Sequence, residues 1–385
     1  MLATGPGQAQ NRGMDMRQPT PLLGGLSPQR FMQRHWEKKP LLVRQACPAA
    51  RPPATRAQLF ELAAREDVES RMVARTDGNW KVRHGPFPRR SLPPVAQPGW
   101  TLLVQGLDLH LDAARALVEP FRFVPDARFD DLMLSWASDG GGVGPHVDAY
   151  DVFLLQVHGR RRWRIGPVAD DACVDDLPLK ILRHFEPEHD WVLEPGDLLY
   201  LPPLWGHDGI AVGECMTCSV GFRSPDATGL AAELLQRLVE DDERGRLYRD
   251  PRQTAAAEPA AMPALLAGFA REAVMRAVRQ AGAIERALGE CLTEPKPRVW
   301  FETEAQPALQ AGVRLDRRSR MVYDDRHVFL NGESFRVSGR DAVLIRHLAD
   351  ARTLDARSCA RLSAVAREVV LDWVASGWLR MGAST

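Results

Sequence analysis

Between residues 140 and 224 the chain is cut into short runs rich in Val, Ile, Leu, Phe and Trp, separated by glycine and proline turns: DVFLLQVHG, RRRWRIGP, WVLEPGDLLYLPP and CMTCSVGFRSP. They therefore predict antiparallel strands closed into a barrel or sandwich rather than βαβ units. A chain of 385 residues also has room for more than one core.

The flanks read differently. Residues 1–21 are polar and predict a flexible tail. Ser27-Pro28 caps and opens one helix, and Thr55 starts another through Leu59 and Leu62. VESRMVART and WKVRHG around a DGN turn predict a hairpin. TLLVQGLDL and DLMLSWAS read as strands on either side of a helix, LDAARALVEPF. After Pro225 the period becomes helical: Leu230, Leu234, Leu235, Leu238 and Val239 share one stripe. Leu265, Leu266, Phe269, Val274 and Met275 begin a second that runs toward Leu288. Packing against the barrel is the plain reading of these stripes. A homodimerisation element is the sharper one, because so small an insert cannot bury both by itself.

From about Pro297 strands return. Asn331-Gly332 inside MVYDDRHVFLNGESFRV is a strong hairpin signal, followed by a Ser-capped helix, a further helix ending at Gly377 and a short strand. This is winged-helix-like. The expected class is α+β, with domains at 22–225 (barrel), 226–296 (helical dimerisation segment) and 297–385 (winged helix).

Fifty basic residues face fifty acidic ones, so bulk charge makes no case for a nucleic acid partner. Residues 301–385 hold 13 Arg and 11 Asp plus Glu, a net of +2, which makes direct DNA binding a weak reading and protein docking or packing the better one. Six scattered cysteines do not form a disulfide scaffold, and no apolar run approaches ~18 residues. A reduced cytoplasmic setting without a membrane span is expected.

The chemistry concentrates in GGGVGPHVDAYDVFLLQVHGRRRWRIGP. His146 and Asp148 are two apart, so in a strand they share a face. His207 follows in EPGDLLYLPPLWGHDG and is the strongest third candidate. Two histidines and one carboxylate, with open positions opposite, is the donor set of non-haem Fe(II) oxygenases. In Arg160-Arg161-Arg162 the pleat turns Arg161 away from its neighbours, and a single inward guanidinium invites a dianionic ligand. The glycines 140–142 lack a GK[ST] ending and precede a strand, so a phosphate loop is a poor reading. Cys215 and Cys218 form a lone CxxC, too little for zinc.

With HWEKKPLLVR, GGGVGPHVDAYDVFLLQVHGRRRWR, EPGDLLYLPPLWGH and SVGFRSP, the sequence resembles the JmjC-type, cupin-fold 2-oxoglutarate oxygenases. Within them it is most similar to the bacterial ribosomal oxygenase group, relatives of the human ribosomal-protein histidine hydroxylases. The resemblance implies a double-stranded β-helix barrel, a helical dimerisation segment and a winged helix. It implies Fe(II), 2-oxoglutarate as co-substrate and O2, with His146, Asp148 and His207 as catalytic iron ligands. It further implies Arg161 on the distal carboxylate of 2-oxoglutarate and Ser219 as a second co-substrate contact. The implied substrate is an arginine of the sixteenth large-subunit ribosomal protein. For its guanidinium, Asp139 is the candidate partner. Two departures are expected at the pocket: Leu132 falls where some eukaryotic relatives carry a polar contact, and Trp136 is bulky for a position beside the site. A histidyl residue, another protein or an RNA are alternative substrates. A cupin and winged-helix regulator that senses a small molecule and binds DNA is the alternative outside enzymes.

Overall fold

The structure is a computed structural model that describes residues 15–76, 78–240 and 245–382. Of the tail expected over 1–21, residues 1–14 lie outside the described residues. Residues 15–21 form turns: Met16 O accepts from Gln29 N, and Thr20 O accepts from Gly25 N. The chain divides into two compact units, residues up to 224 with 297–300, and 225–296 with 301 onward.

The first unit is built on one nine-stranded antiparallel sheet: β1 (Leu41–Val43), β2 (Ser70–Thr76), β3 (Asn79–His84), β4 (Trp100–Val104), β5 (Phe129–Ala137), β6 (Tyr150–Pro167), β7 (His189–Leu193), β8 (Leu198–Leu201) and β9 (Trp205–Arg223). The strand order is β1-β8-β6-β9-β5-β4-β2-β3, and β7 pairs with the far half of β6. Runs that read as separate strands in the sequence are joined. DVFLLQVHG and RRRWRIGP form the single strand β6, and β9 extends from Trp205 through the CMTC run to Arg223. The two lie side by side from Tyr150 opposite Arg223 to Pro167 opposite Trp205.

Glycine makes the joint possible. Gly159 has φ +59°, and a Cβ there would lie 2.0 Å from Glu214 O. Register shifts on both sides of His158 bulge the strand, which reverses the face on which odd and even residues fall. Leu154 before the bulge therefore joins Trp163 and Ile165 beyond it in one inner cluster with Leu193, Leu199 and Leu201.

The outer face of the sheet carries the larger core. Phe31 stands 4.9 Å from Tyr200 and 5.5 Å from Phe153, and Trp136 lies 4.6 Å from Trp100. Two capped helices close over it: α1 (Pro28–Arg34), whose cap Ser27 accepts from Arg30 N, and α2 (Arg56–Leu62), with a Thr55/Gln58 capping box. The short helices α3 (Leu107–His110) and α4 (Asp112–Val118) bury Leu107, Ala114 and Val118 in the same core.

The second unit contains α5 (Ala227–Glu240), α6 (Ala264–Arg279) and α7 (Ala283–Thr293), then β10 (Val313–Leu315), β11 (Met321–Tyr323), β12 (His327–Leu330), β13 (Glu333–Arg336), α8 (Gly339–Ala351), β14 (Thr353–Leu354), α9 (Ala356–Ala360), α10 (Ala364–Ala375) and β15 (Leu379–Met381). The β12–β13 turn is Asn331-Gly332 with φ of 52° and 89°, the positive pair a tight hairpin needs. Leu330, Leu344, Leu348, Val370 and Trp373 are central to the core of this unit. The class is α+β. No helix among the described residues is long and apolar enough to cross a membrane.

Candidate metal centre

His146 and Asp148 do not lie inside a regular strand, contrary to the sequence reading. They occupy the extended segment just before β6, and a two-way backbone bridge holds it there: His146 N donates to His207 O at 3.0 Å, and His207 N to His146 O at 2.9 Å. This bridge brings together two histidines 61 positions apart in the chain, with ring centroids 4.2 Å from one another. The PPLW turn before β9 sets Asp148, because Leu204 N donates to Asp148 O at 2.8 Å.

Both rings are oriented from behind. His146 Nδ1 lies 2.9 Å from Gly144 O, and His207 Nδ1 lies 2.9 Å from Trp205 O. A carbonyl only accepts, so each neutral ring carries its proton on Nδ1 and presents the Nε2 lone pair. Each Nε2 is 3.6 Å from Asp148 Oδ2, and the three ligand atoms lie within 4.8 Å of one another. Bonds of about 2.1 Å to a shared ion would place neighbouring donors about 3 Å apart, so each histidine–aspartate pair, at 3.6 Å, stands close to the spacing a shared metal needs. Burial would raise the Asp148 pKa, but before a metal binds, His146 and His207 in their protonated form would donate from Nε2 and, by that bond and their charge, hold it well below the usual carboxylate range. Burial likewise works against a charged His146, and Asp148 outweighs it, raising that pKa. The carboxylate is thus ionised and ready to ligate. Among the described residues, this is the one group of three or more His, Cys, Asp or Glu side chains arranged to hold a metal ion.

Arg161 lies on β6 opposite Ala211, on the face that also carries Trp163 and Ile165, the latter opposite His207. It is 6% exposed, whereas Arg160 and Arg162 are exposed. Its Nη1 donates to Ser135 Oγ at 3.2 Å, while Nε and Nη2 are buried with no protein partner. Ser219, opposite Leu154 and Met133, faces the same interior. Two His, one Asp and a half-satisfied inward guanidinium fit a divalent metal together with a small dicarboxylate.

Residues 116–230 match the JmjC domain family, and residues 279–380 match the ROXA-like winged helix. The chain is 35% identical over 328 residues to the ribosomal protein uL16 3-hydroxylase of Escherichia coli strain K12, an alignment spanning 81% of this chain and 86% of the relative. The chain belongs to the JmjC-domain ribosomal oxygenases. It is also 30% identical over 198 residues to human ribosomal oxygenase 1, covering 47% of this chain and 30% of that protein. The solved structure of E. coli YcfD, a ribosomal oxygenase, in complex with cobalt and 2-oxoglutarate matches with a TM-score of 0.76 at 31% identity, over 92% of this chain and 98% of the other. An X-ray structure of E. coli ycfD gives 0.78 at 31%, over 91% and 97%.

Three sequence expectations about this oxygenase are corrected by its fold. Asp139 is not part of the cluster. Its Oδ1 accepts from Gly213 N at 2.7 Å, six residues along β9 from His207 and on the order of 20 Å away at strand spacing. It pins a loop, the ordinary duty of an aspartate before glycines. Leu132 and Trp136 are not pocket residues either. Alternation along β5 turns both to the outer core, where Trp136 Nε1 donates to Glu214 at 2.8 Å. Finally, Arg161 is on the same strand that follows Asp148, not on the next one.

Sequence reasoning missed Ser135. The signal was present in DLMLSWAS: with Leu132, Leu134 and Trp136 as one apolar face, Ser135 must occupy the other.

Proposed function

We propose that this oxygenase hydroxylates the ribosomal protein uL16 on an arginine side chain, with Fe(II) as metal and 2-oxoglutarate and O2 as co-substrates. His146 Nε2, Asp148 Oδ2 and His207 Nε2 would hold the iron. Arg161 would take the distal carboxylate of 2-oxoglutarate, with Ser135 orienting the guanidinium and Ser219 on the same inner face as a further contact. When bound, iron and 2-oxoglutarate supply the oxidising chemistry: the co-substrate is decarboxylated to succinate, one O2 oxygen enters it and the other enters the substrate C–H bond. The protein does the rest. The Gly144 and Trp205 carbonyls fix both imidazole tautomers. The packed inner wall of Leu154, Trp163, Leu199 and Leu201 would limit water around a bound metal. No general base is required, because an unactivated C–H bond is broken by hydrogen abstraction.

The observation that carries the 2-oxoglutarate part of this reading is the buried Arg161 guanidinium, with Nε and Nη2 lacking hydrogen-bond partners, on the same barrel face as the His207 strand position. The test is anaerobic loading with Fe(II) and 2-oxoglutarate, exposure to O2 with uL16, and tandem mass spectrometry. One added oxygen on an arginine, with stoichiometric succinate, is expected. Oxygen placed on a histidine would favour the alternative substrate, and no substrate-dependent succinate would reject the reading.

The proposed working state is a homodimer in the cytoplasm. Val239, Leu265 and Val274 are 63%, 65% and 55% exposed on α5 and α6, apolar surface that a second copy could cover. Light scattering at micromolar concentration should give twice the chain mass. A single-chain mass would dismiss the dimer.

A further inference from the structure

The balanced net charge hides a local excess. Residues 70–90 contain Arg71, Arg75, Lys81, Arg83, Arg89 and Arg90 against one acid, Asp77. They form the β2–β3 hairpin and the loop after it, and β3 pairs with β2 alone among the described strands, so this is a free edge of the sheet. Pairing puts Arg71, which is half-buried, and Arg75 on one face of the ribbon and Lys81 and Arg83 on the other, so exposed cations stand on both faces of the edge.

Among the described residues none of the six forms an ion pair. Several other surface arginines of this unit are neutralised, Arg56 by Glu214, Arg65 by Asp67, Arg162 by Asp190 and Arg183 by Asp175, whereas ones unpaired among the described residues, such as Arg30, Arg51 and Arg160, lie scattered rather than in one segment. Here the partners are aromatic rings and a carbonyl, which orient a guanidinium without cancelling its charge. Arg75 lies 5.3 Å over Trp80, Arg83 5.5 Å over Phe87, and Arg89 5.0 Å over Phe60; Arg83 also donates to Ser91 O at 2.8 Å. Lysine alone would suffice to blunt an edge strand. Six unneutralised cations of one sign do more, since their fields add and favour a polyanion.

We propose that this hairpin is a docking surface for the phosphate backbone of RNA. The choice of RNA over an acidic protein rests on the ribosomal-substrate reading, because the polyanion beside a ribosomal protein in its particle is RNA. The surface would then hold the oxygenase on the particle while the barrel takes the side chain.

The test titrates metal-free full-length protein into a fluorescein-labelled oligouridine RNA of roughly 20 nucleotides and reads anisotropy over a salt series. Lys81 and Arg90 are exposed, have no side-chain hydrogen bond and lie outside the metal centre, so Lys81→Gln/Arg90→Gln keeps the fold. The double variant should bind ~10-fold more weakly at about 0.1 M salt. Its slope of log affinity against log salt should fall by about 1.4, two phosphate contacts at ~0.7 each for a single strand. Its hydroxylation of free uL16 peptide should match wild type. The proposal is overturned if wild type fails to bind the RNA, if the slope is unchanged in the variant, or if oligoglutamate of equal charge competes as well as RNA. RNA binding is read without turnover, so it can fail while hydroxylation stands, and the reverse.

Discussion

The Arg161 guanidinium reaches across the inside of the barrel from β6 and donates through Nη1 to Ser135 Oγ on β5, 3.2 Å away. That contact occupies one donor and aims the others. Nε and Nη2 are left buried and unpartnered, which is costly for a cation unless a ligand completes the pairing.

Removing either member should therefore act on co-substrate affinity before it acts on chemistry. Arg161→Ala should raise the KM for 2-oxoglutarate by ~10- to 150-fold, the range for charge-assisted hydrogen bonds of about 1.5–3 kcal/mol. Ser135→Ala should raise it only several-fold, since the charge remains. Steady-state kinetics at saturating uL16 decide the matter: an unchanged KM in Arg161→Ala would remove that residue from the co-substrate site.

His146→Ala, Asp148→Ala and His207→Ala should each lower metal affinity by more than ~100-fold, beyond what loss of an outer-shell partner costs. Circular dichroism should show a retained fold, because the bridge between His146 and His207 is made by backbone atoms. Calorimetric titration with Co(II) measures the loss directly, and normal Co(II) binding by any variant would strike its residue from the ligand set.

Gly144 offers a test of the shell behind the metal. Its φ is +79°, and a Cβ would lie 2.6 Å from Ile181 Cδ1 and 2.9 Å from Trp80 Cζ2. Its carbonyl holds His146 Nδ1. Gly144→Ala should cost about 1–3 kcal/mol of stability through strain and weaken Co(II) binding by ~10-fold through misorientation of His146. Thermal melts and Co(II) titration are the measurements. Wild-type metal affinity in a folded Gly144→Ala protein would show that the carbonyl is not needed for the ligand geometry.

Asp151 gives a pH signature independent of the metal ligands. It is fully buried, accepts from Tyr200 Oη at 2.5 Å and pairs with Arg128 at 3.2 Å. Burial, helped by the nearby Glu37 charge, outweighs Tyr200 and Arg128 and pushes its pKa up to about 6. With a folded pKa above the unfolded one, the native state holds more protons between about pH 4 and 6, so this group's contribution to stability falls as pH rises through that window and levels off above it. In Asp151→Asn that loss is absent. The melting temperature of the variant relative to wild type should climb from pH 4 to 6.5 and then stay level. A difference that is flat across the range would refute the raised pKa.

What could be read along the chain was whatever depends on near neighbours. Ser27 and Thr55 announce their helices because a cap needs only the next three residues, and Asn331-Gly332 announces its hairpin because both φ values must be positive. His146, Asp148 and His207 were legible as a donor set from residue type and spacing, and the JmjC resemblance followed from the same stretches. Other features depend on contacts between distant segments. The merging of two apparent strands into β6 turns on Gly159 fitting against Glu214 O, and the bulge there decides that Arg161 shares a face with Leu154, seven residues away. Asp139 looked suitable beside a glycine loop until Gly213 claimed its carboxylate. Ser135 acquired a role only when β5 and β6 were placed around the same interior. The cationic hairpin was invisible in a chain of fifty positive and fifty negative side chains, because composition sums charge over the whole molecule while a field depends on which charges the fold leaves unpaired at one edge.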